Sequence, residues 1–142
     1  MRGFTFIELL ITISIFIVIF LAALPFYSYF SSFAALDSVK QEVLQNVKLA
    51  QNKAQSGENG NDFGVKFEAN QYTLYQGSSF VGRQISQDEF FTLPANMQII
   101  NPPEVNFYIK TGLPKLSAVI TILNTSNNKS ETITVNLSGL IY

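Results

Sequence analysis

Glu8 is a carboxylate near the start of an apolar run: of the twenty-one residues from Phe4 to Leu24, the only polar members are Thr5, Glu8, Thr12 and Ser14. As a helix, at about 1.5 Å per residue, such a run reaches roughly 30 Å, the thickness of bilayer hydrocarbon. A carboxylate inside that layer costs at least a few kcal/mol, so it needs a role and a named partner. The chemistry open to it is charge pairing. A cut after Gly3 gives Phe4 a free α-amino group about one helical turn from Glu8. The ammonium of an identical neighbour, shifted along the axis, would then meet the same acid and set an intermolecular register. Position alone leaves two other readings open, a shallow Glu8 that snorkels to the headgroups and a carboxyl kept neutral by a raised pKa.

Elsewhere the side chains offer little for catalysis. The chain has neither cysteine nor histidine, which removes disulfides, thiol chemistry, the commonest zinc ligands and the usual general base. No G-x-S-x-G nucleophile motif is present, so the reading is a non-enzyme with no cofactor and no metal. Glu58, Asn59, Asn61 and Asp62 supply oxygen atoms close together in sequence, but their spacing does not fit an EF-hand loop. From Ser56 onward, Lys66, Arg83, Lys110, Lys115 and Lys129 face Glu58, Asp62, Glu68, Asp88, Glu89, Glu104 and Glu131, a net charge of −2. That balance argues against a nucleic-acid partner. Tyr72, Tyr75 and Tyr108 could stack on bases or sugars, but aromatics in alternating strands more often pack within a sheet.

The elements that must carry these residues follow from periodicity. The apolar run reads as a helix reaching Pro25, where a lost hydrogen bond bends it, and Phe26-Tyr27-Ser28-Tyr29-Phe30 contains no further breaker, so it continues outward. Beyond Ala34 the pattern changes: Val39, Val43, Val47, Ala50 and Ala54 recur every three or four residues, one face of a helix laid on a sheet. Ser56-Gly57-Glu58-Asn59-Gly60-Asn61-Asp62 ends it. A period of two then begins with Phe63, Val65 and Phe67, continues with Tyr72 and Leu74 after a turn at Ala69-Asn70, and adds a short strand at Phe80-Val81. Gln84 to Asn96 is looser, and Met97 with Ile99, then Val105, Phe107 and Ile109, resume the alternation. Residues 118–122 face 133–137 across a polar tip at 124–129, a hairpin. The fold class expected is α+β: a long helix over about 4–55, kinked near Pro25, whose C-terminal half packs on a small antiparallel β domain.

Gly3-Phe4-Thr5-Phe6-Ile7-Glu8-Leu9-Leu10 resembles the prepilin motif of bacterial type IV pilins and type II secretion pseudopilins. The resemblance implies cleavage between Gly3 and Phe4 by a prepilin peptidase, N-methylation of Phe4, and use of Glu8 in subunit assembly. It also implies that Pro25 marks a bend or local melting of the helix on packing into a filament. The leader is short, Met1-Arg2-Gly3 with one basic side chain. A secretory signal peptide fits less well, because the apolar run is too long and Leu21-Ala22-Ala23-Leu24-Pro25 offers no A-x-A site. A generic single-pass anchor explains neither the glycine nor the acid. More loosely, Gly64-Val65-Lys66-Phe67, Val105-Asn106-Phe107 before Gly112, and Ile133-Thr134-Val135-Asn136 running to Ser138-Gly139-Leu140-Ile141 resemble the minor pseudopilin of the H type.

The organisation implied is a leader at 1–3, a transmembrane and filament-core helix at 4–30, and a periplasmic or extracellular pilin-like domain at 31–142, made of an amphipathic helix at 31–55 and a β domain at 63–142. The function implied is a structural subunit, of the minor kind, of a type IV pilus-like filament or type II secretion pseudopilus. Its partners would be the prepilin peptidase, other pilin or pseudopilin subunits, an inner-membrane assembly platform, and the membrane itself before assembly. Arg2 and the amino terminus place the N-terminus in the cytoplasm. The alternative is a membrane-anchored β-domain module, for DNA uptake or surface-ligand binding, that is not built into a filament.

Overall fold

The computed structural model describes residues 5–142, with the side chains of residues 23–32 excepted. One helix, α1 (Phe6–Ser56), is followed by seven strands: β1 (Phe63–Phe67), β2 (Gln71–Gln76), β3 (Glu89–Thr92), β4 (Met97–Ile100), β5 (Glu104–Phe107), β6 (Ala118–Asn124) and β7 (Lys129–Val135). The chain divides into two compact units, Met1–Ala35 and Leu36–Tyr142.

In the second unit α1 buries Leu36, Val39, Val43, Val47, Ala50 and Ala54, each at most 6% exposed. This is the seam that the three-and-four spacing predicts, with Leu36 added at its start. The helix stops where Gly57 takes a left-handed φ of 70° and its N–H donates to the Ala54 carbonyl at 3.0 Å, a conformation that glycine adopts without steric cost.

The β domain is two antiparallel sheets, one of four strands in the order β3-β2-β1-β5 and one of three in the order β4-β6-β7. Alternation sets which side chains go inward. Phe63, Val65, Phe67, Tyr72, Leu74, Val105 and Phe107 from the first sheet, with Met97, Ile99, Ile120, Ile122, Ile133 and Val135 from the second, join the helix seam in one core. The last hairpin pairs Ala118 with Val135 through to Asn124 with Lys129, so β7 starts and ends earlier than the apolar pattern suggests.

Three local expectations change. Phe80 and Val81 lie outside the strands, in the segment between β2 and β3, where Phe80 packs edge-on against Tyr75 at 5.6 Å. The looser Phe90-Phe91 stretch is strand β3, because it pairs with β2, Phe91 opposite Tyr72 and Phe90 opposite Thr73. Ile109 lies past the end of β5, its N–H held by the Asp62 carboxylate at 2.8 Å.

One glycine in this sheet is there for close approach. A Cβ on Gly64 would lie 2.5 Å from the Tyr75 hydroxyl oxygen and 2.8 Å from the Val105 carbonyl oxygen, so Tyr75 lies across the strand in space that no other residue would leave.

Candidate assembly site

The first turn of α1 is built by Thr5 and Glu8. The Glu8 N–H donates to Thr5 Oγ1 at 3.4 Å, and the Thr5 N–H donates to Glu8 Oε2 at 3.4 Å. This is a capping box, in which each side chain satisfies a backbone donor that the helix start leaves orphaned. Glu8 also places a negative charge in the first turn, where the helix dipole favours it. The acid therefore has an intrachain role in addition to any pairing between chains. The T-x-x-E spacing that signals it is plain in the sequence, yet charge-based reasoning passes over Thr5.

The two hydroxyls further along are disposed of locally. Thr12 Oγ1 donates to the Glu8 carbonyl at 2.7 Å and Ser14 Oγ to the Leu10 carbonyl at 2.8 Å. Such back-bonding to the preceding turn hides polarity within an apolar helix. Thr5 to Ala22 are exposed throughout, on every side of the helix. Shallow grooves run between the side-chain ridges, one lined by Leu10, Ile11, Ser14, Ile15, Val18 and Ile19, another by Ile13, Phe16, Ile17, Phe20 and Leu21. Ridges of a second helix pack into grooves of this kind. Among the described residues no helix is long and apolar enough to cross a membrane. Gly3 and Phe4 lie outside the described residues, as does the side chain of Pro25 with the bend expected there.

The other candidate groups of the sequence are dispersed or spent on packing. The oxygen-bearing loop residues do not converge: Glu58 lies 3.8 Å from Lys53, Asn59 donates to Gln76 at 3.1 Å, and Asn61 donates to the Asn59 carbonyl at 3.0 Å. Asp62 accepts from the Ile109 N–H and pairs with Lys115 at 2.7 Å. Tyr72 and Tyr75 are buried. Tyr72 accepts from Asn46 at 2.8 Å and donates to Glu42 at 3.1 Å, and Tyr75 donates to Glu104 at 2.7 Å. Burial pushes both phenols well above their ordinary value, and the neighbouring Glu104 adds to the rise at Tyr75. Tyr108 alone of the three is half exposed, with the Lys115 ammonium 5.3 Å above its ring.

Neither a protein-family model nor a curated protein sequence matches the chain. The minor pseudopilin EpsH from the type 2 secretion system of Vibrio cholerae is similar in structure, with a TM-score of 0.59 and 18% identity over 75% of this chain and 94% of that one. This α+β arrangement, a long helix whose C-terminal half packs on antiparallel sheets, is a pseudopilin-like fold.

Proposed function

We propose that the chain is a structural subunit of a type II secretion pseudopilus or a related type IV pilus-like filament, of the minor kind. The observation that carries this reading is the stretch of α1 from Phe6 to Ala22, exposed on every side and apolar but for Glu8, Thr12 and Ser14, on a chain with a pseudopilin-like fold. Each such side chain gains about 1.5–3 kcal/mol when fully covered. Lipid before assembly and neighbouring helices after it are the surroundings that suit a helix apolar all round.

The remaining steps rest on the N-terminal motif. A prepilin peptidase cuts between Gly3 and Phe4, Phe4 is N-methylated, and the chain waits in the inner membrane with its N-terminus cytoplasmic. An assembly platform then draws it into the filament. Glu8 starts from its capping bond to the Thr5 N–H and meets the Phe4 ammonium of a neighbour in the assembled state. The exchange keeps the acid partnered at each stage, which matters because an unpaired carboxylate in low dielectric is costly. Nothing in this role calls for catalysis or a cofactor.

The test is a pair of variants in cells that express the whole system. Gly3→Val keeps the leader attached, and intact mass of the membrane-extracted chain reads this directly. Glu8→Gln keeps the shape of the capping residue and removes the charge. Both are expected to leave the protein in the membrane and out of isolated filaments. A Gly3→Val chain that stays unprocessed yet functions normally, with wild-type protein never found in filaments, would favour a membrane-anchored binding module instead.

A further inference from the structure

On the face of the four-stranded sheet turned away from the core lies a cleft of about 290 Å³, lined by Ser78, Glu104, Asn106, Lys115 and Leu116. Glu104 and Asn106 are two apart on β5 and so share that face. Glu104 Oε1 accepts from the Tyr75 hydroxyl at 2.7 Å and from the Phe80 N–H at 2.9 Å. Asn106 Nδ2 donates to the Tyr75 hydroxyl at 3.0 Å and to the Gly77 carbonyl at 2.9 Å. Asn106 is 7% exposed, and its Oδ1 is buried without a donor.

The two charged groups lining the cleft, Glu104 and Lys115, are not paired with each other. Lys115 is matched by Asp62 at 2.7 Å and donates to the Ser78 carbonyl at 2.8 Å. Among the described residues no cation lies within ion-pair distance of Glu104, although Lys66 stands opposite it in the β1–β5 ladder. The cleft thus offers acceptors and a negative charge, with its own ammonium already engaged. Leu116, 72% exposed, adds an apolar contact at the same place.

We propose that this cleft binds an alkylguanidinium group, the head and stem of an arginine. A planar fork of N–H donors addresses the Glu104 carboxylate, which a single point-like ammonium does less well. The methylene stem lies on Leu116. Arg83 is engaged elsewhere, on Asp88 at 2.7 Å and on the Phe80 carbonyl at 2.7 Å, and does not supply the group. A free arginine-like solute and an arginine on a neighbouring protein share this chemistry.

The test titrates the full chain in detergent micelles with N-acetyl-arginine amide and follows the Asn106 side-chain amide by NMR. The expected result is a saturable shift, absent with the isosteric N-acetyl-citrulline amide and at least about tenfold weaker in Glu104→Gln. Leu116→Ser, at an exposed position, is expected to weaken binding a few-fold with an unchanged melt. An equal response to citrulline, or unchanged affinity in both variants, overturns the proposal. Because the chain has no cysteine, Leu116→Cys carrying a photo-cross-linker distinguishes the sources in cells. A cross-linked arginine-bearing peptide gives a protein source; no adduct alongside a retained titration gives a free solute.

Discussion

Phe6–Ala22 and Leu36–Ala54 belong to the same helix, but every residue of the first stretch is exposed, while the second buries one apolar seam with Lys40, Asn46, Gln51 and Lys53 half-buried beside it. The first is the more hydrophobic of the two by far. Burial here follows the availability of a partner and not hydrophobicity alone. The second stretch has two sheets against it, whereas the first has none among the described residues and carries apolar side chains all round, a pattern suited to lipid or to a bundle of like helices. A seam of small β-branched and alanine side chains fits a sheet closely. A surface of Ile, Leu, Phe and Val on every side specifies no single neighbour.

The widest separation between the two stretches should come from placing a charge in each. Val47 is 0% exposed, so Val47→Asp puts an unpaired carboxylate in the core and is expected to cost more than about 4 kcal/mol, enough to unfold the second unit. Ile15 is 55% exposed, so Ile15→Asp is expected to leave the melt of the β domain unchanged while abolishing incorporation into filaments. Circular dichroism in micelles and filament isolation read the two effects. Equal loss of melting temperature in both variants would break the contrast.

Gly64→Ala sharpens the account of the second unit by overfilling it. The added methyl meets the Tyr75 ring and the Val105 backbone, and the expected cost is about 1–3 kcal/mol. A melt within a degree of wild type would show that Tyr75 can swing away freely.

The two stretches also differ in how legible they were. The buried seam from Val39 to Ala54, the loop after Ser56, and most strands are visible in the sequence, because periods of four, three and two are local properties of the chain. Strand β3 was not legible: Glu89-Phe90-Phe91-Thr92 becomes a strand only through its pairing with β2. The division into two sheets was equally hidden, since alternation shows that a strand exists and not which neighbour it takes. Of the candidate site, Glu8 stood out as a charge in an apolar run, and Thr5 could have been recognised by its spacing from Glu8. The Glu104–Tyr75–Asn106 cluster joins residues about thirty positions apart, and no local pattern announces such a meeting.

Alkaline titration probes the second unit alone. The folded Tyr72 and Tyr75 hold their protons above the ordinary phenol value of about 10 because they are buried. Below that value both states are protonated and the contribution is fully present. Above it the unfolded chain releases these protons while the folded chain keeps them. Stability should therefore fall by about 1.4 kcal/mol per pH unit for each tyrosine. Denaturant melts at stepped pH check this, and a flat profile from pH 9 to 11 would remove burial as the cause.

The smallest effect should come from the first unit. Thr5→Ala deletes the oxygen that caps the Glu8 N–H, and the loss of such a cap costs about 0.5–2 kcal/mol of local helix stability. The second unit has its own core and should melt unchanged, so the effect should appear only as faster amide exchange at residues 6–9. If Glu8 contributes to assembly through its charge, Thr5→Ala should still enter filaments, at a somewhat reduced yield, because the carboxylate survives. If capping is the whole role of Glu8, then Glu8→Gln, which keeps a capping oxygen, should assemble as wild type does, and Thr5→Ala should be the more impaired. Amide exchange by NMR in micelles, compared with filament yield for the two variants, separates a cap from an intersubunit pair: a Glu8→Gln chain that exchanges as wild type does yet stays out of filaments assigns the loss to the charge.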